Sequence, residues 1–192
     1  ASGKDTVRSA IFKRYPNLKK IITVTSRAPR KSDVAGVDYH FLGRGEFEAK
    51  IKAGDFAEYV EYGGNLYGTL KIDLERALKQ DTLWKIDPSR AGEARDFIKR
   101  SFSAQTAQEL IKGLLVIYIT LSDDVILQRL KKRGLPETEI QKRMSDDKKI
   151  WQKFQHSYDY VVENVPGKLD ECVKNIIQII QKHQNGQTAP NI

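Results

Sequence analysis

Among its 192 residues the chain has one cysteine, one methionine and three histidines. Cys172 alone excludes an internal disulfide and leans toward a reducing compartment. His40, His156 and His183 are scattered and show no metal-ligand spacing, so a zinc-type centre is not expected. No apolar run approaches the roughly 18 residues that span a bilayer, and no signal peptide is visible. Internal repeats and low-complexity tracts are also lacking. What the chain does have is charge: 30% Asp, Glu, Lys and Arg, with a formal net charge of +8. That balance favours anionic partners without choosing among nucleotides, nucleic acid and acidic surfaces. The length fits one domain with small subdomains and is ample for a core.

Hydrophobic periodicity predicts alternating short strands and helices. Helices are expected over 5–14, 45–53, 72–78, 91–100, 104–111, 123–132, 137–154 and 169–180. Strands are expected over 21–25, 39–42, 83–86, 114–120 and 160–163, with a hairpin of 56–62 and 66–70 around Gly63-Gly64-Asn65. Alternation of this kind predicts an α/β fold, a parallel sheet flanked by helices. The hairpin-rich stretch from Arg30 to Leu70 reads as an insertion. Residues 185–192 read as a disordered tail.

Three groups of residues carry chemistry. Ser2-Gly3-Lys4-Asp5-Thr6 opens a helix. Glycine allows close backbone approach, the helix N-terminus offers N–H groups to an anion, and lysine reaches outer phosphates. Thr25-Ser26-Arg27-Ala28-Pro29-Arg30 follows a strand, and two arginines three apart can converge on one anionic group. The third group runs through Val37-Asp38-Tyr39-His40-Phe41, Glu58 and Gly64-Asn65-Leu66-Tyr67-Gly68-Thr69. Taken singly, Tyr39, Tyr67 and Phe41 read as strand aromatics and Glu58 as a surface carboxylate. Arg133 and Arg143 read as parts of a solvated basic face, and Trp84, Trp151 and Cys172 as packing residues.

In order and spacing, S-R-x-P-R, G-V-D-Y-H-F, F-x-E-Y and G-N-x-Y-G-T resemble the guanylate kinase family over about forty positions. The rest of the chain, to about His183, is consistent with that resemblance. It implies a P-loop kinase-like parallel sheet flanked by helices, with an inserted GMP-binding subdomain over 27–70 and a helical lid over 133–156. The core would be 1–26, 71–132 and 157–184. It implies ATP-dependent phosphorylation of GMP, and of dGMP, in cytoplasmic purine nucleotide metabolism, by a monomer or homodimer without nucleic-acid or membrane partners. Arg27, Arg30, Tyr39 and Tyr67 would hold the GMP phosphate. Glu58, Thr69, Thr23 and Asp87 would hold the guanine. Ser2, Gly3, Lys4, Asp5, Thr6 and Asn164 would contact ATP, with Thr6 on Mg²⁺. Lys4, Arg133 and Arg143 would be catalytic.

Some features depart from the family pattern. Asp5 follows the loop lysine in place of a small or hydroxyl residue. Lys85-Ile86-Asp87 replaces a paired-acid string, and Arg90 replaces a glycine. The Arg133–Arg143 spacing is about one residue short. The family's first strand and the front of its phosphate loop would lie before Ala1, in mid-sheet, so these 192 residues alone are expected to be poorly stable. Other readings are a guanylate-kinase-like binding module, a related kinase with another phosphorylated acceptor, and nucleic-acid binding driven by charge.

Overall fold

The computed structural model describes residues 2–31 and 33–186. The expected tail falls mostly outside these; Asn185 and Gly186 form a turn. The chain divides into two compact units, each assembled from separate segments.

The first unit comprises Ala1–Pro16, Asp87–Glu93 and Leu115–Ile192. It holds α1 (Lys4–Arg14), α4 (Pro88–Gly92), β7 (Ile117–Thr120), α7 (Asp123–Lys132), α8 (Glu137–Phe154), β8 (Tyr160–Glu163) and α9 (Leu169–Gln184). β7 and β8 form a parallel ladder with Ile117 opposite Tyr160. The closing helix α9 buries Cys172, Val173, Ile176 and Ile179 and packs against α1, which buries Val7 and Ile11. Cys172 is therefore a core residue, and burial pushes its thiol pKa up. Tyr118, Trp151 and Tyr158 stack together, and the Tyr158 hydroxyl donates to the Pro88 carbonyl at 3.1 Å. Asp87 caps α4, accepting from the Ser89 amide at 2.9 Å, with Pro88 at the first helical position.

The second unit comprises Asn17–Ile86 and Ala94–Leu114. It holds β1 (Lys19–Lys20), β2 (Val24–Thr25), β3 (His40–Phe41), α2 (Arg44–Ala53), β4 (Phe56–Tyr62), β5 (Asn65–Leu70), α3 (Lys71–Glu75) with a 3₁₀ turn, β6 (Thr82–Leu83), α5 (Ala94–Ser101) and α6 (Ala104–Gly113). A four-stranded mixed sheet has the order β3-β2-β5-β4; β2 runs parallel to β3 and antiparallel to β5. β1 and β6 form a parallel pair. One apolar cluster gathers Ile21, Ala57, Leu74, Phe97, Ile98 and Leu110, with Trp84 packed against it. Another is formed by Val24, Phe47, Phe56 and Leu66, the Phe47 and Phe56 rings stacked at 4.4 Å.

Two expected elements come out divided. The run 21–25 is not one strand: Lys19–Lys20 pairs with β6, while Val24–Thr25 turns to pair with β3 and β5. The helix expected over 91–100 is two, α4 and α5, because the Asp87-Pro88 cap starts a helix early and Glu93 ends it. Parallel strand pairs flanked by helices occur in both units, as the α/β reading expects.

Candidate functional site

In the first unit, Gly3 precedes α1 with φ +81°, a left-handed conformation that favours glycine. A Cβ there would lie 2.6 Å from Asn164 Nδ2 and 3.2 Å from an Arg129 guanidinium nitrogen. Asn164 is buried just past β8; its amide nitrogen donates to the Thr120 carbonyl, and its Nδ2 donates to the Ser2 carbonyl at 2.8 Å. The side chain of Asn164 thus ties down the backbone that leads into α1. The first intrahelical bond is Val7 N–H to the Gly3 carbonyl. The amides of the turn before it are those a helix leaves for an anion.

Beside this helix start is a cavity of about 490 Å³ lined by Gly3, Thr6, Arg129, Lys132, Arg133 and Asn164, among others. Three residues expected to contact ATP, Gly3, Thr6 and Asn164, therefore meet at one cavity with Arg133, expected to be catalytic. Lys4 and Asp5 are exposed on the first turn, and Asp5 lies 3.8 Å from Arg8. Arg143 is not among the lining residues; it sits on α8, bonded to Glu139 at 2.7 Å. Arg129 and Lys132 were not anticipated. Arg129 was detectable in principle, since it stands four residues before Arg133 on the same helical face.

In the second unit, β2 ends in the arginine loop. The Arg27 guanidinium donates to Asp33 Oδ2 at 2.8 Å and to the Ala28 carbonyl at 2.7 Å. It lies 5.6 Å from the Tyr39 ring centre and 5.7 Å from that of Phe41. Asp33 Oδ2 also accepts from the Arg30 backbone amide at 2.7 Å. One carboxylate therefore holds both arginine positions, and sequence reasoning missed it. The Arg30 amide and the Arg27 guanidinium together pull the Asp33 pKa below its ordinary value. The Asp33 hydrogen bond holds the Arg27 pKa up against the lowering by burial. Tyr39 and Tyr67 meet edge to face at 6.2 Å. Arg27, Tyr39 and Tyr67 are thus brought together, while Arg30 is exposed.

Glu58 and Thr69 are cross-strand partners on β4 and β5. Both are buried, and the Thr69 hydroxyl donates to Glu58 Oε1 at 2.8 Å. Thr23 is half-buried, and its carbonyl accepts from the His40 amide. The fully buried hydroxyl on that stretch belongs to Thr25, which donates to the Leu66 carbonyl at 3.0 Å and accepts from the Arg27 amide. Asp87 belongs to the first unit, as the exposed cap of α4.

The fold is of the α/β P-loop kinase class. The sequence matches the guanylate kinase family model over residues 1–183, and the chain belongs to that family. It is 35% identical to a guanylate kinase of Thermus thermophilus over 182 residues, 93% of this chain and 75% of that protein. It is 30% identical to one from Chlorobium luteolum over 179 residues, 93% of this chain and 85% of that protein. The crystal structure of guanylate kinase from Anaplasma phagocytophilum superposes with a TM-score of 0.64 at 26% identity, covering 94% of this chain and 81% of that one.

Proposed function

We infer that this chain is an ATP:GMP phosphotransferase, forming GDP, with dGMP as a further acceptor. The observation that carries the guanine part is the buried Glu58–Thr69 pair. A carboxylate accepts from guanine N1–H and the 2-amino group, and adenine has neither donor on that edge. Leaving such an acceptor unpaired costs about 1–3 kcal/mol. The Arg27, Tyr39 and Tyr67 group supports phosphate binding next to the base, with Arg30 completing it. Thr23 is the further guanine contact of this reading.

The basic cavity supports the donor side. Amides at the start of α1, together with Lys4 and Arg133, take the ATP phosphates, and Arg143 closes from the lid over 133–156. Phosphoryl transfer asks the protein chiefly for positioning and charge neutralisation. Thr6 lines the cavity and is a hard oxygen donor of the kind Mg²⁺ takes beside nucleotide phosphates, so the residues present fit that ion. When bound, Mg²⁺ neutralises charge on the phosphates. Among the described residues no helix is long and apolar enough to cross a membrane. A cytoplasmic enzyme of purine nucleotide metabolism, monomeric or homodimeric, completes the proposal.

The test is ADP formation from ATP and Mg²⁺ with GMP or AMP as acceptor. GMP-dependent turnover well above that with AMP is expected. Binding of GMP without turnover would point instead to a binding module.

A further inference from the structure

Trp84 follows β6 and meets Phe97 edge to face at 5.7 Å with an interplanar angle of 79°. That contact satisfies the packing role a tryptophan is expected to have. Its indole does more: Nε1–H donates to Thr69 Oγ1 at 3.1 Å, and Thr69 Oγ1 donates to Glu58 Oε1 at 2.8 Å. The direction of this chain follows from the groups. An indole nitrogen can only donate, a carboxylate accepts, and a hydroxyl has one proton to give. Thr69 has no exposed surface and Glu58 has 6%, so water does not easily replace either bond.

We propose that Trp84 is a positioning residue that sets selectivity for purines bearing a 2-amino group. The inference rests on reading Glu58 as a base contact. With its oxygen anchored by Trp84 and its proton committed to Glu58, the buried Thr69 stands behind the carboxylate and fixes its orientation. The carboxylate presents only acceptors. Two acceptor oxygens held in one orientation match two adjacent donors. Guanine supplies them in N1–H and the 2-amino group, whereas hypoxanthine supplies N1–H alone. Without the indole N–H, the Thr69 hydroxyl turns more freely and no longer fixes Glu58, so the carboxylate can re-aim an oxygen that lacks a donor. The penalty for a missing 2-amino group then shrinks.

The experiment is calorimetric titration of GMP and IMP, which needs no turnover, on the wild type, Trp84→Phe and Glu58→Gln. Phe keeps the aromatic contact with Phe97 and removes only the donor. Thermal melting checks its fold. Should Trp84→Phe not fold, replacing Trp84 with 3-benzothienylalanine puts sulfur in place of the N–H within the same ring outline. The wild type is expected to prefer GMP over IMP by roughly tenfold or more, with most of that ratio lost on removing the N–H. An unchanged ratio in a folded Trp84 variant, with the ratio lost in Glu58→Gln, overturns this inference alone. An unchanged ratio in Glu58→Gln overturns the base-reading role of Glu58 on which it rests.

Discussion

Asp33 shows how a single carboxylate can organise a loop that carries two arginines. It joins the Arg27 guanidinium to the Arg30 backbone, 2.8 Å and 2.7 Å away. Charge-assisted bonds of this kind fix geometry as well as add energy. Asp33→Asn is expected to weaken GMP binding about twofold to fivefold while leaving guanosine binding unchanged; calorimetry with both ligands checks it. Equal losses for both would mean Asp33 supports the base pocket or the fold instead. The pH dependence has a definite sign. The Asp33 pKa is held below its ordinary value of 3.8, first by the Arg30 amide and then by Arg27. Its contribution to loop order is therefore complete above 3.8 and lost as pH falls through the depressed value. The Arg30 amide resonance should titrate below 3.8 in the wild type and not in Asp33→Asn. The two arginines three apart were legible as a pair from their spacing, whereas Tyr39 and Tyr67 read singly as strand aromatics and were singled out only by the family resemblance. Asp33 was not, since a loop acid three residues from an arginine is ordinary until its partners are seen.

At the scale of elements, the β4–β5 hairpin places the buried Glu58–Thr69 pair, and its accuracy depends on one glycine. A Cβ on Gly68 would lie 2.8 Å from the Glu58 carbonyl oxygen and 2.8 Å from the Phe56 ring. Neither neighbour is the loose end of a flexible side chain. Gly68→Ala is expected to cost about 1–3 kcal/mol through displaced strands. Urea unfolding measures that cost, and a loss of GMP affinity should accompany it because Glu58 moves with its carbonyl. A variant of wild-type stability would show that the strands separate without penalty. Alternating residues and the Gly63-Gly64 turn made this hairpin legible, and both glycines do take positive φ, 58° and 74°. Alternation did not foretell that Phe56, Ala57 and Glu58 are buried in succession. A register irregularity between Phe56 and Glu58 breaks the period-two pattern and turns the carboxylate inward. The split of residues 19–25 was hidden for a related reason. Ile21, Ile22 and Val24 suit a continuous strand, but their hydrogen-bonding partners come from β6 on one side of the break and from β3 and β5 on the other. Strand partners far away in sequence leave no mark on a local pattern.

At the scale of the whole molecule, the chain passes between two compact units at residues 16/17, 86/87, 93/94 and 114/115. None of these points is marked by a linker-like composition: 16/17 and 93/94 fall in or beside turns, and 86/87 and 114/115 in short irregular segments between elements. Each unit carries its own candidate nucleotide group: the cavity at the start of α1 in the first, and the Arg27–Tyr67 and Glu58–Thr69 groups in the second. On the proposed reading, the formal charge of +8 has local uses at both candidate groups and need not imply a nucleic-acid partner. Separate sites on separate units make a prediction for amide exchange. Ligands that order a group of contacts raise local protection there first. GMP alone should slow exchange most in peptides covering residues 24–41 and 56–70. A non-hydrolysable ATP analogue should act most on residues 2–8 and 129–134. Hydrogen-exchange mass spectrometry with each ligand singly distinguishes these patterns. If GMP protected residues 2–8 more than residues 56–70, acceptor and donor would have to exchange places, and the roles given to Glu58 and Thr69 would fall with them.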